Sequence, residues 1–255
     1  MQDRIGQVIK NVKLQENIYE MVIKFNYFED IKGGQFIHVQ LPTKENVLRR
    51  PFCICDFDKE EMTITICYAV VGKGTDILAN VKVGEKLNAM FPLGNGFKDK
   101  EYKKIMLLGG GMGVAVLPAI FKSIPNAKIY TYVGFANKDK VVLENILRER
   151  SESLLVATDD GSYGEKGYAV NFLKQDIEKI KPDVIMACGP TPMFKAAQKV
   201  LADVDCDVYL SLEQRMGCGI GACLVCNCKI KKNGEETYLR VCKDGPVFNM
   251  NEVVL

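Results

Sequence analysis

The sequence predicts a multidomain β plus α/β protein: an antiparallel β-barrel, then a doubly wound parallel sheet, then a small cysteine-rich C-terminal module. Three changes of pattern carry this. Up to about Phe97, short β-branched or alternating segments are separated by turns; from Lys103, strand, turn and helix alternate; after about Ser211, glycines and cysteines replace both patterns. The expected units are residues 1–98, 99–207 and 208–255. A chain of 255 residues with 47% hydrophobic content supplies cores for two domains and an appendage.

In the first unit, strands are expected at Ile5 to Val12, Ile18 to Phe25, Gln35 to Leu41, Phe52 to Phe57, Met62 to Val70 and Lys86 to Met90. Gly33-Gly34, Pro42, Asp58 to Glu61, Val83-Gly84-Glu85 and Pro92 to Gly96 are the turns between them. One short helix is expected at Gly74 to Ala79, entered through Thr75 or Asp76 as its cap. His38, the single histidine, lies in the alternating stretch Phe36 to Gln40 and is expected to point outward, without a catalytic or ligand role.

The second unit opens with a buried strand, Ile105 to Leu108, a turn at Gly109 to Gly113, and a helix with Val114, Leu117, Ile120 and Phe121 on one face. Further strands follow at Lys128 to Gly134, Ser153 to Thr158 and Val184 to Ala187. Helices are expected near Val141 to Arg150, along Val170, Leu173, Ile177 and Ile180, and along Met193 to Leu201. Such alternation implies a mostly parallel sheet.

A formal charge of +2, with both signs interspersed, gives no basic stripe for nucleic acid and no polybasic membrane patch. The longest uncharged run, Ile105 to Phe121, is broken by four glycines and Pro118, so no membrane-spanning helix is expected there. Ten cysteines without a secretory signal point to a reducing cytoplasm, where thiols serve metal or redox work.

Cys218, Cys223 and Cys226 are spaced C-x4-C-x2-C, and Cys242 follows in the turn-like stretch Cys242-Lys243-Asp244-Gly245-Pro246. That spacing is the plant-type pattern for a 2Fe–2S cluster, and Gly217, Gly219, Gly221 and Ala222 let backbone N–H groups approach the sulfurs. Zinc is the rival, although structural zinc sites use two close cysteine pairs. A disulfide pair or buried free thiols are the plainer alternative, and Cys228 competes for a place in the ligand set.

Gly109, Gly110, Gly111 and Gly113 follow a strand and precede a helix, where bare N–H groups meet a pyrophosphate. Their spacing departs from G-x-G-x-x-G, so a tight turn without ligand remains open.

Arg50-Pro51-Phe52-Cys53, Gly72-Lys73-Gly74-Thr75, the glycine turn with Pro118, and Cys188-Gly189-Pro190-Thr191-Pro192-Met193 together resemble the ferredoxin–NADP reductase superfamily. With the cysteine loop added, the whole chain resembles the electron-transfer subunits of class B dihydroorotate dehydrogenase. The resemblance implies FAD in the barrel. Arg50 would pair with its pyrophosphate, Pro51, Phe52 and Cys53 would pass along the isoalloxazine, Cys67, Tyr68 and Ala69 would line it, and Gly74 and Thr75 would add phosphate donors. Cys53, a weaker hydrogen-bond donor than a hydroxyl, stands where the family commonly has serine. The glycine turn with Gly189 and Pro190 would flank the nicotinamide nucleotide, with Cys188 near the hydride path. No arginine lies in Gly134 to Asp139, which favours NAD over NADP.

A nicotinamide passes two electrons as hydride, a 2Fe–2S centre takes one, and flavin mediates between them. No residues here suit proton abstraction from a dihydropyrimidine. By resemblance that step belongs to a separate FMN-containing catalytic subunit, which docks near the cluster loop through apolar side chains such as Ile220, Leu224 or Val225. The alternatives are a reductase subunit for another partner (a bifurcating transhydrogenase, a sulfide-linked reductase or a hydrogenase) and a redox-sensing module without enzymatic turnover.

Overall fold

The computed structural model describes residues 3–43, 47–98, 100–232 and 234–255. The starting residues expected for the first two units, 1 and 99, lie outside the described residues.

The first sheet is formed by β1 (Arg4–Gln15), β2 (Ile18–Lys24), β3 (Phe36–Val39), β4 (Arg50–Cys53), β5 (Asp56–Asp58), β6 (Thr63–Ala69) and β7 (Lys86–Leu93), with helix α1 (Lys73–Ala79) between the last two. The strand order is β4-β3-β7-β1-β2-β6-β5, antiparallel throughout. The single strand expected at Phe52 to Phe57 is two strands at opposite ends of this order, joined only by buried Ile54 and Cys55. Ends so close in sequence force the sheet to roll up, which makes it a barrel. Inward residues such as Val8, Met21, Ile23, Ile37, Ile64, Ile66 and Leu87 fill it.

Helix α1 is entered at Gly72 rather than at Thr75 or Asp76. Thr75 sits one turn inside, where its hydroxyl accepts from the Val71 N–H at 2.9 Å and donates to the Gly72 carbonyl at 3.0 Å.

The second sheet contains β8 (Lys104–Gly110), β9 (Lys128–Phe135), β10 (Ser153–Thr158), β11 (Glu165–Lys166), β12 (Val184–Cys188) and β13 (Asp207–Ser211), all parallel. A 3₁₀ turn at Gly111–Val116 leads into α2 (Leu117–Ser123), and α3 (Glu144–Arg150), α4 (Ala169–Ile180) and α5 (Thr191–Val200) complete the layers. On α4 the expected face, Val170, Leu173, Ile177 and Ile180, is buried. The order β11-β10-β9-β8-β12-β13 reverses direction between β8 and β12, the switch point where open α/β sheets leave a crevice beyond the strand ends.

The C-terminal stretch has a small antiparallel sheet of β14 (Asn227–Lys232), β15 (Glu235–Arg240) and β17 (Val253–Val254), while β16 (Val247–Asn249) pairs antiparallel with β13. This last pairing fastens the cysteine-rich module to the parallel sheet. Among the described residues no helix is long and apolar enough to cross a membrane.

His38 departs from expectation. Its strand is buried on both faces, and the imidazole is fully buried rather than solvent-facing, because the cysteine loop covers the outer wall of the barrel there. Strict alternation reports solvent on one face only when nothing packs on that face.

Candidate functional site

The cysteine loop winds around Cys218. Its sulfur accepts N–H groups from Ile220 at 3.4 Å, Ala222 at 3.3 Å and Cys223 at 3.4 Å. The Cys223 sulfur accepts from Cys218 N–H at 3.4 Å, the Cys242 sulfur from Gly221 N–H at 3.1 Å, and the Cys226 sulfur from Cys242 N–H at 3.4 Å. Gly219 and Gly221 have φ of +72° and +84°, which turns the backbone so that successive N–H groups point inward. Burial works against ionisation of Cys218, yet the N–H groups of Ile220, Cys223 and Ala222 outweigh it and bring the thiol down to about 6. A loop that stabilises thiolate in this way suits soft, thiolate-bound iron.

Cys242 has the opposite setting: burial first, then the neighbouring Cys226, push its thiol up to about 12. Bound iron supplies the positive charge that such a site needs to hold a thiolate. Cys228 sits in the β14–β15 pair, where it donates to the Leu239 carbonyl at 3.5 Å, and burial, then the neighbouring Cys226, raises it to about 11. Among the described residues no three His, Cys, Asp or Glu side chains converge as a single-ion site requires.

The turn carrying Cys242 is held from two sides. Arg240 forks onto Asp244 at 2.8 and 3.0 Å and reaches the Gly221 carbonyl at 3.3 Å, tying the turn to the loop. From the barrel, Asn95 donates its side-chain amide to the carbonyls of Lys243 at 3.0 Å and Asp244 at 3.2 Å. Sequence reading missed both residues, since an Arg four positions before an Asp is ordinary in any turn.

Beside the loop, the barrel and the parallel sheet enclose a groove of about 370 Å³. Arg50, Pro51, Phe52, Cys53, Cys67, Tyr68, Ala69 and Thr75 form one wall; Met112, Ala115, Ser211, Leu212, Glu213, Gln214, Met216 and Pro246 form the other. Gly74 lies against the Arg50 guanidinium: a Cβ there would stand 2.7 Å from Nε. Cys188 does not reach the groove. It is fully buried behind Cys53, whose thiol, together with burial, drives the Cys188 pKa well above the usual thiol range. Glu213 stands open to the groove yet is crowded enough by surrounding protein that desolvation raises its carboxyl. Ser211 ends β13, a strand that no motif had marked, and Glu213 follows two residues later.

At the switch point a second cavity, about 550 Å³, is lined by Gly110, Gly111, Gly134, Phe135, Ala136, Asp159, Tyr168, Pro190 and Met193 among others. The glycines of the turn divide by task. Gly110 and Gly111 face the cavity, whereas a Cβ on Gly113 would lie 2.5 Å from the Cys188 carbonyl oxygen, and one on Gly109 would lie 2.9 Å from Val114. Gly189 is pressed against Met193. Gly113→Ala, whose new carbon meets unyielding backbone, is expected to cost about 1–3 kcal/mol of stability. Thermal unfolding measures it; an unchanged midpoint would contradict the close packing of the 3₁₀ turn on β12.

A sequence model of the iron-sulfur cluster binding domain of dihydroorotate dehydrogenase B matches residues 213–254. Over 254 residues the chain is 38% identical to the dihydroorotate dehydrogenase B (NAD(+)) electron transfer subunit of Streptococcus mutans, covering 97% of this chain and 96% of that protein. With the protein of the same description from Fusobacterium nucleatum it shares 39% over 255 residues, 96% of each. Among solved structures, a chain of an NADH-dependent reduced ferredoxin–NADP oxidoreductase studied for flavin-based electron bifurcation superposes with a TM-score of 0.85 at 28% identity, covering 98% of this chain and 89% of that one. The ferredoxin reductase of carbazole 1,9a-dioxygenase, at 18% identity and TM-score 0.70 over 82% of this chain and 68% of that one, shares the fold. With the cysteine loop, the barrel and the nucleotide sheet all inside an alignment of nearly full length, the chain belongs to the electron transfer subunits of dihydroorotate dehydrogenase B.

Proposed function

We propose that this chain carries electrons from dihydroorotate, oxidised in a partner FMN-containing catalytic subunit, through a 2Fe–2S cluster and FAD to NAD, within cytoplasmic pyrimidine biosynthesis. One observation carries the reading. The segment Ser211 to Met216 walls the groove and runs straight into Cys218, and Pro246 walls it four residues after Cys242. A flavin in that groove and a cluster in that loop are therefore neighbours.

Cys218, Cys223, Cys226 and Cys242 would hold the cluster, and the N–H groups aimed at three of these sulfurs from the loop, and at Cys226 from Cys242 itself, suit it. Arg50 with Gly74 and Thr75 would hold the FAD phosphates, while Pro51, Phe52, Cys53, Cys67, Tyr68 and Ala69 would meet its ring system. Bound flavin would accept hydride from, or return it to, a nicotinamide and exchange single electrons with the cluster.

The residues of this chain bind, orient and exclude water. Gly110, Gly111 and Pro190 leave room for a dinucleotide at the switch point, with Gly109, Gly113 and Gly189 shaping the turn behind them. Cys188 backs Cys53, which walls the groove. The Asp159 carboxylate on the cavity wall disfavours a 2′-phosphate, which supports NAD over NADP. The working division is a flavin domain at 1–98, a nucleotide domain at 99–207 and a cluster module at 208–255. Ile220, Leu224 and Val225, all exposed on the cluster loop, offer an apolar contact to the catalytic subunit.

The purified chain is expected to reduce an artificial acceptor with NADH, to leave dihydroorotate untouched, and to support dihydroorotate-dependent NAD reduction once mixed with the FMN subunit. Turnover of dihydroorotate by the chain alone would overturn the division of labour. No gain on mixing would favour another reductase partner.

A further inference from the structure

His38 is the only histidine in the chain and is 0% exposed. Neither ring nitrogen has a hydrogen bond of normal geometry among the described residues. A buried donor left unsatisfied is destabilising, so such a side chain calls for a purpose. The barrel core does not use it, for the ring leaves the barrel wall and meets the cysteine loop. A Cβ built on Gly219 would lie 2.4 Å from Nδ1, so the loop's backbone is laid directly on the imidazole edge.

The strand that roots the ring belongs to both sides of the electron path. In β3, His38 is the register partner of Pro51, which walls the groove, and Val39 is the partner of Arg50. On its other side it faces Met90, which packs against the core containing Cys226 and Cys242. Gly219 follows Cys218 directly. His38 thus stands between the groove wall and the loop, in contact with both.

The ring is neutral. Burial, then the Arg49 guanidinium, hold its pKa down to about 4. A neutral imidazole carries one N–H and one lone pair, so it donates to one acceptor at a time.

We propose that His38 is a positioning residue for electron transfer between flavin and cluster: from the groove wall it offers its N–H to the Cys218–Gly219 segment and fixes where that thiolate stands. The idea rests on the functional reading above. It needs no change of charge at the histidine.

The single histidine makes a clean test. Protein grown on ¹⁵N-histidine, with its cluster reduced by dithionite, is examined by pulsed electron paramagnetic resonance for ¹⁵N coupling. Coupling to the one labelled side chain is the expected result; its absence would overturn the contact. In parallel, His38→Leu is expected to keep iron, sulfide and flavin while altering the line shape and midpoint potential of the cluster, and His38→Gln, which restores an N–H donor, to move both back toward the parent. Parental spectrum and potential in His38→Leu would overturn the proposal. If that variant fails to fold, the ¹⁵N measurement on the unmodified sequence decides alone. A parent without any reducible cluster signal would instead sink the functional reading itself.

Discussion

Serine at Cys218, Cys223, Cys226 or Cys242 abolishes the cluster, whereas Cys228→Ser retains it: this is the expected result with the largest effect. A serine oxygen is a harder and less acidic ligand than thiolate, and iron–sulfur centres depend on soft sulfur donors. The four positions do not contribute alike. Cys218 accepts three backbone N–H groups and is already poised as a thiolate near neutral pH, so its loss removes the anchor on which the loop is wound. Cys242 is buried with its thiol raised, and the Gly221 N–H offsets part of that burial. Cys228 instead bonds to the Leu239 carbonyl within the β14–β15 sheet. Iron and sulfide assays, at about two of each per chain in the parent, measure the series. Cluster loss in the Cys228 variant alone would contradict the ligand set.

Arg50→Ala is expected to strip the flavin on dialysis. Removal of a guanidinium that compensates phosphate charge costs about 1.5–3 kcal/mol, roughly tenfold to more than a hundredfold in affinity. The structure sharpens this. Arg50 leans over Gly74, and its Nη1 donates to the Leu48 carbonyl at 2.6 Å, so the fork is held in place before any ligand arrives. Gly74→Ala, with its carbon 2.7 Å from Nε, pushes the guanidinium aside and is expected to weaken flavin binding in the same direction. The flavin absorbance retained after dialysis reports both. Full retention in Arg50→Ala would contradict the phosphate role.

Much of the architecture was legible because periodicity and glycine placement are local signals. The alternation of strand and helix after Lys103 and the apolar face of α4 both follow directly from residue spacing. The cysteine loop was legible for a different reason: a compact cluster demands thiolates at short, fixed intervals.

What stayed hidden depends on contacts between distant segments. His38 reads as an outward strand residue until the loop at Gly219 is laid over it. Ser211 belongs to no motif, yet β13 delivers it to the groove. Asn95 reaches across 148 residues to the turn of Cys242. The division of the glycine turn into cavity-facing and packing glycines needed the position of the Cys188 carbonyl, which spacing does not disclose.

The central claim is that one chain joins a nicotinamide to its cluster through flavin alone, and an anaerobic NADH titration tests it most directly. The parent and the flavin-depleted Arg50→Ala protein, matched for iron content, are followed by flavin absorbance and by the electron paramagnetic resonance of the reduced cluster. The account predicts flavin bleaching and a reduced-cluster signal in the parent, no cluster reduction in the flavin-depleted protein, and recovery when FAD is added back in excess. Equal reduction of the cluster by NADH without flavin would contradict it.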